Sequence, residues 1–127
     1  MNKKIVIVDD DESIRKTFFL ILNRKYRVYL AKDAREALDR FKSANVDLII
    51  ADYMLPDLNG IELVSRFRKI GYRGDVILIS AHPEKVKRED LDRLNIGDLF
   101  VKPLDLDSMN LSIDRVLEPK QSLEKRA

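Results

Sequence analysis

The chain has 127 residues, with 24 Lys or Arg against 22 Asp or Glu, a formal net charge of +2 and no cysteine. That length fits one domain built on one hydrophobic core, and the lack of cysteine excludes disulfides, thiolate zinc centres and cysteine nucleophiles. The near-neutral balance supplies no bulk attraction to nucleic acid or anionic lipid, so direct nucleic-acid binding and membrane association are not expected.

The first strand is expected at Ile5–Val8, a continuous apolar run. It is too short for the core of a signal peptide, and no apolar run in the chain approaches the roughly 18 residues of a membrane span; a cytoplasmic location is the expectation. Ile14, Phe18, Ile21 and Leu22 then recur at helical spacing. A second strand reads at Val28–Ala31, followed by a helix on Ala34, Ala37, Leu38 and Phe41, which Asp33 and Glu36 open in the manner of a capping box. Leu48–Ala51 is the third strand, and Ile61, Val64 and Phe67 mark a third helix after Gly60. Val76–Ile79 is the fourth strand; the helix after it, near Glu84–Leu94, has a thin stripe of Val86, Leu91 and Leu94. Leu99–Val101 is the fifth strand, and Leu106, Met109, Ile113, Val116 and Leu117 form the last helix, with Asp105 as its N-cap.

Strands that are continuously apolar rather than alternating are covered on both faces. Five strand–helix repeats therefore predict an α/β, doubly wound, three-layer (βα)5 sandwich around a five-stranded parallel sheet. Right-handed crossovers leave a few topologies. The flavodoxin-like order 2-1-3-4-5 is one of them, and it places a crevice at the carboxyl ends of the strands. The domain is expected over residues 1–118, with 119–127 a polar tail, linker remnant or residue of cloning.

In a parallel sheet the ends of the strands share one edge. Asp9, Asp10, Asp11 and Glu12 follow the first strand, Asp52 the third, Ser80 the fourth and Lys102 the fifth. Each has an ordinary explanation by itself: a cap on the first helix, a turn residue before Pro56, a helix cap, a solvated lysine. Their coincidence at one edge is harder to explain that way. Asp9, Asp10 and Asp52 would concentrate three negative charges, each like pair costing on the order of 4 kcal/mol at about 4 Å and an effective dielectric near 20. Such a cluster either raises its pKa values or binds a cation. Carboxylate oxygens without nearby His or Cys ligands suit Mg2+ or Mn2+. With the ion and Lys102 the formal charge is balanced, and a carboxylate such as Asp52 can act as a nucleophile toward a phosphoryl group. Ser80 can donate to a phosphoryl oxygen. His82, the one histidine, reads as a loop or capping residue, with control of access to the phosphoryl group as the alternative.

The stretches IVIVDDDESIR, LIIADYMLPDLNGIEL, VILISA and FVKPLDLD, in this order and spacing, resemble the receiver (CheY-like) domains of two-component response regulators; the resemblance runs from about Lys4 to Leu117. It implies the order 2-1-3-4-5, which the pattern alone leaves among several. It also implies roles. Asp52 would be the phosphoacceptor, Asp10 a direct metal ligand, Asp9 a ligand directly or through water, and Met54 a ligand through its backbone carbonyl. Ser80 would be the switch hydroxyl and Lys102 the partner of the phosphoryl group, with Met54 and His82 flanking that group. The implied donor is a sensor histidine kinase or a phosphotransfer protein, and the implied target is an output domain or partner protein, reached as a monomer or a phosphorylation-dependent dimer. Such a domain phosphorylates itself and slowly dephosphorylates, without turning over external substrates. One departure is Leu99, where the family usually has Tyr or Phe; Phe100 should point to the opposite face. Another is Asn95 in place of a frequent Gly, tolerable at a left-handed helix end. The alternatives are a receiver-like interaction module that works without phosphorylation, toward which Leu99 leans, and a phosphatase resembling haloacid dehalogenases that uses Asp9 with Asp11.

Overall fold

Runs rich in Val, Ile and Leu form the strands, and residues spaced at three and four form the helices that cover them. The computed structural model describes residues 2–42 and 45–118, so the expected tail at 119–127 lies outside the described residues. The order of elements is β1 (Lys4–Val8), α1 (Glu12–Leu22), β2 (Arg27–Ala31), α2 (Ala34–Phe41), β3 (Leu48–Asp52), α3 (Gly60–Lys69), β4 (Asp75–Ser80), a 3-10 turn (Pro83–Lys85), α4 (Arg88–Arg93), β5 (Asp98–Val101) and α5 (Leu106–Leu117). All four strand pairings are parallel, in the order β2-β1-β3-β4-β5. No helix among the described residues is long and apolar enough to cross a membrane.

The central strands explain why the sequence does not alternate. On one face Val6, Val8, Ile49, Ala51, Val76 and Leu78 pack with α2, α3 and Leu94; on the other Ile5, Ile7, Leu48, Ile50, Ile77 and Ile79 pack with α1 and α5. Both faces are sealed, so every position in β1 after Lys4 and every position in β3 is buried.

Carboxylates and an amide start four of the helices, with Asp33 and Asp105 in the expected places. Asp11 accepts from Ser13 N and Asp33 from Glu36 N. Asn59 accepts from Glu62 N and Asp105 from Ser108 N. Such caps satisfy amides that have no partner within the helix. Two expectations need correction. Leu106, counted in the apolar stripe of α5, is 40% exposed because it is the first residue of that helix and precedes the buried Met109. The fourth helix is far shorter than Glu84–Leu94. Pro83 starts a 3-10 turn, Val86 and Lys87 are extended, and Lys87 makes no side-chain cap, so the α-helix holds only from Arg88 to Arg93.

That short helix is anchored at its far end. Arg68 of α3 donates from Nε to Leu94 O and from Nη2 to Asn95 O, while its Nη1 reaches Tyr72 O and Gly74 O. Asn95 has φ of 55°, the left-handed conformation expected for it.

Gly60, the first residue of α3, is where the site meets the core. A Cβ there would lie 2.6 Å from the Asp52 carbonyl oxygen and 2.9 Å from Leu78 Cδ1. Replacing it with Ala is expected to destabilise the domain by about 1–3 kcal/mol through overpacking, read as a lower urea midpoint at unchanged m-value.

Candidate functional site

The sheet register assembles the site. Val8 pairs with Ala51, so the next residues, Asp9 and Asp52, emerge side by side. Asp52 pairs with Ile79, and Ser80 follows it. Ser80 pairs with Val101, and Lys102 follows that. Four segments thus reach one edge without any special loop. Asp9, Asp52 and Ser80 are buried, Lys102 is half-buried and Asp10 is exposed.

One carboxylate oxygen from each of Asp9, Asp10 and Asp52 lies within 4.8 Å of the others. Lys102 Nζ is 2.8 Å from Asp52 Oδ2, to which it donates, and 3.3 Å from Asp9 Oδ2. Asp9 Oδ1 accepts from Asp11 N at 2.9 Å. Asp9 Oδ2 is buried and has no hydrogen-bond partner; the lysine sits at ion-pair distance from it without donating. Asp52 Oδ1 accepts a long bond, 3.2 Å, from Met54 N.

Burial, aided by the Asp52 charge, pushes the Asp9 carboxyl up to about 6, although the Asp11 amide and Lys102 pull the other way. Burial works against the Lys102 ammonium, but the hydrogen bond it donates to Asp52 and the charge of Asp9 prevail and raise its pKa. Three carboxylates and one ammonium sum to −2. The cluster is therefore short of positive charge by one divalent ion, and the buried Oδ2 of Asp9 has the Lys102 ion pair but no hydrogen bond. The donor set is all oxygen. These features fit a hard divalent cation such as Mg2+ or Mn2+.

The remaining expected residues are placed as follows. Ser80 Oγ accepts from His82 N at 2.9 Å, leaving the hydroxyl proton free to be donated elsewhere. His82 is exposed, with Nδ1 3.4 Å from Glu84 Oε1. Met54 is exposed beside Asp52. Leu99 packs among the residues facing α2, α3 and α4, and Phe100 among those facing α1 and α5. The aromatic ring of β5 is thus on the far face, as strand alternation requires. Asp11, the residue a dehalogenase-like phosphatase would need beside Asp9, is exposed, and its side chain caps α1 through Ser13 N and Ser13 Oγ.

Two contacts escape a reading of the sequence. Arg15 Nη1 donates to the Asp9 carbonyl at 2.6 Å, holding the backbone from which the buried carboxylate springs. Its position one helical turn after Asp11 was the available signal. Asp57, in the loop after β3, binds the amides of Ala34 and Arg35 at the start of α2. Nothing local in the sequence marks that contact.

Known proteins share this fold. The family model for the response regulator receiver domain matches residues 5–114. The chain is 31% identical over 125 residues to the regulatory protein AtoC of Escherichia coli (strain K12), an alignment covering 96% of this chain and 26% of AtoC. It is 30% identical over 123 residues to sporulation initiation phosphotransferase F of Bacillus subtilis (strain 168), covering 96% of this chain and 99% of that protein. The chain thus spans about a quarter of one relative and nearly all of the other. Among solved structures, the response regulator TrrA of Thermotoga maritima in complex with Mg(2+)-BeF superposes with a TM-score of 0.78 at 30% identity, covering 90% of this chain and 98% of that one. With the sheet order, the acidic cluster and the family match in agreement, this chain belongs to the response regulator receiver domain family, the phosphoacceptor modules of two-component signalling.

Proposed function

We propose that Asp52 is the residue that takes the phosphoryl group, with Mg2+ held by the carboxylates of Asp9, Asp10 and Asp52 and the backbone carbonyl of Met54. The observation that carries this reading is the under-neutralised cluster, in which the buried Asp9 Oδ2 has no hydrogen-bond partner. A bound Mg2+ would supply charge neutralisation at the equatorial phosphoryl oxygens.

The residues of the chain do the rest. One oxygen of Asp52 attacks the phosphorus of a phosphohistidine on a sensor kinase or phosphotransfer protein. A P–O bond forms, the P–N bond breaks, and the imidazole leaves, taking up a proton. The product is an acyl phosphate on Asp52. Lys102, already within 2.8 Å of Asp52, exchanges a carboxylate partner for a phosphoryl oxygen. Ser80 donates its free hydroxyl proton to another. Arg15 keeps the Asp9 backbone in place through its bond to the carbonyl. The domain turns over no external substrate; hydrolysis of its own acyl phosphate resets it, and Met54 and His82 flank the path of the attacking water.

Ser80 and Lys102 lie where β4 leads toward α4 and β5 toward α5. Rearrangement around them on phosphorylation is read out on the α4–β5–α5 surface by an output domain or partner protein. Full switching needs about 5.5 kcal/mol of differential stabilisation, a scale within reach of a few charge-assisted hydrogen bonds.

Intact-mass spectrometry with acetyl phosphate and Mg2+ tests the assignment. Wild type should gain one phosphoryl group, and both Asp52→Asn and chelation with EDTA should abolish the gain. A labelled Asp52→Asn protein beside an unlabelled wild type would end this reading.

Proton and metal compete for Asp9. Its folded pKa, about 6, stands above the ordinary 3.8, so the folded state holds this proton more tightly than the unfolded chain does. In metal-free protein the resulting stability is present at low pH and lost as pH rises through about 6. Mg2+ needs the ionised form. The rise in melting temperature on adding Mg2+ should therefore be larger at pH 7.5 than at pH 5.5, where thermal melts with and without the ion read it directly.

A further inference from the structure

Asp57 spends its carboxylate on a helix other than the one its loop leads into. Oδ1 accepts from Ala34 N at 3.1 Å and from Leu58 N at 2.9 Å, and Oδ2 accepts from Arg35 N at 2.8 Å. Ala34 and Arg35 are the first two residues of α2. That helix already has its own N-cap, since Asp33 takes the amide of Glu36 at 2.8 Å. A second carboxylate, contributed from 23 residues further along the chain, takes the two first-turn amides that Asp33 leaves open. Burial opposes the charge on Asp57, but the amides of Arg35, Ala34 and Leu58 outweigh it and hold the carboxyl below the ordinary range. The tether is therefore ionised wherever the phosphoacceptor site is functional.

The other end of the tether is the loop between β3 and α3. Its base is fixed: Tyr53 N donates to Ile79 O at 2.7 Å, Gly60 N donates to Tyr53 O at 2.8 Å, and Met54 faces Asn59 in an isolated antiparallel bridge. Among the described residues nothing donates a hydrogen bond to the Met54 carbonyl. Also among the described residues, the two bonds from α2 to Asp57 are the hydrogen bonds that join positions 54–59 to an element other than β3 and α3. Leu55 and Leu58 pack against the core, a contact without the directionality of a hydrogen bond.

We infer that Asp57 is a positioning residue for the metal: by tying the tip of this loop to the start of α2, it fixes where the Met54 carbonyl stands beside Asp52. This rests on the assignment of Met54 as a ligand made above. Mg2+ demands near-ideal octahedral geometry, so a ligand on an untethered loop binds it poorly. Groups that orient ligands without touching the ion typically change metal affinity by roughly 10–100-fold.

Calorimetric titration with Mg2+, paired with thermal melts, tests it on wild type, Asp57→Ala, Asp57→Asn and Asp33→Ala. Each Ala variant removes a carboxylate from the start of α2, so both should lower the melting temperature. Only Asp57→Ala should weaken Mg2+ affinity, by about tenfold, and its labelling by acetyl phosphate should recover when Mg2+ is raised to saturation. Asp57→Asn keeps one amide acceptor and should fall between; it carries the same comparison if the Ala variant does not fold. Unchanged Mg2+ affinity in the Asp57 variants, or an equal loss in Asp33→Ala, overturns the inference while leaving the site assignment intact. Absence of Mg2+ binding by wild type overturns both.

Discussion

Three carboxylates are crowded at the end of a sealed sheet, and one ammonium does not neutralise them. Folding accepts this because the positions are dictated elsewhere. Asp9 and Asp52 directly follow, or end, strands whose side chains are buried on both faces, and the register that buries Val8 and Ala51 leaves them nowhere else to go. The cost of holding like charges together is met in part by Lys102 and in part by keeping Asp9 prone to protonation. What remains is a standing electrostatic demand for a divalent cation. The chemistry of the domain follows from that demand, because a carboxylate repelled by its neighbours attacks an anionic phosphoryl group only after the local charge is cancelled.

The rest of the structure supplies rigidity to this arrangement. Arg15 holds the backbone of Asp9, Gly60 lets α3 begin in contact with the Asp52 carbonyl, and side-chain N-caps open α1, α2, α3 and α5. A dehalogenase-like use of Asp9 finds no support in this geometry, since Asp11 is committed to the first turn of α1.

Much of this was legible in the amino-acid order. Continuous apolar runs predicted a two-sided sheet, and short polar sequences after each run placed Asp9, Asp52, Ser80 and Lys102 at one edge. The same alternation sent Phe100 away from the face that Leu99 occupies, as the structure bears out. What escaped has a common cause. The bond from Arg15 to a carbonyl and the reach of Asp57 to α2 depend on side-chain direction and on loops meeting across the surface, and neither leaves a periodic trace. The stripe of Val86, Leu91 and Leu94 suggests a fourth helix longer than the one that forms. The backbone at Val86 and Lys87 is extended, and no capping side chain follows Pro83 to begin the helix earlier.

Among the described residues, helix α4 is hydrogen-bonded to another element at one end only. Arg68 grips its last carbonyls, whereas its first turn begins from uncapped, extended chain. A segment built this way behaves as a lever with a clamped heel. Its leading end, nearest the edge that carries Ser80, is held by the apolar packing of Val86 and Leu91, while its trailing end is hydrogen-bonded to α3. Evolution could therefore alter which proteins recognise this region by changing the exposed residues from Pro83 to Arg88, without disturbing either the sheet or the acidic pocket.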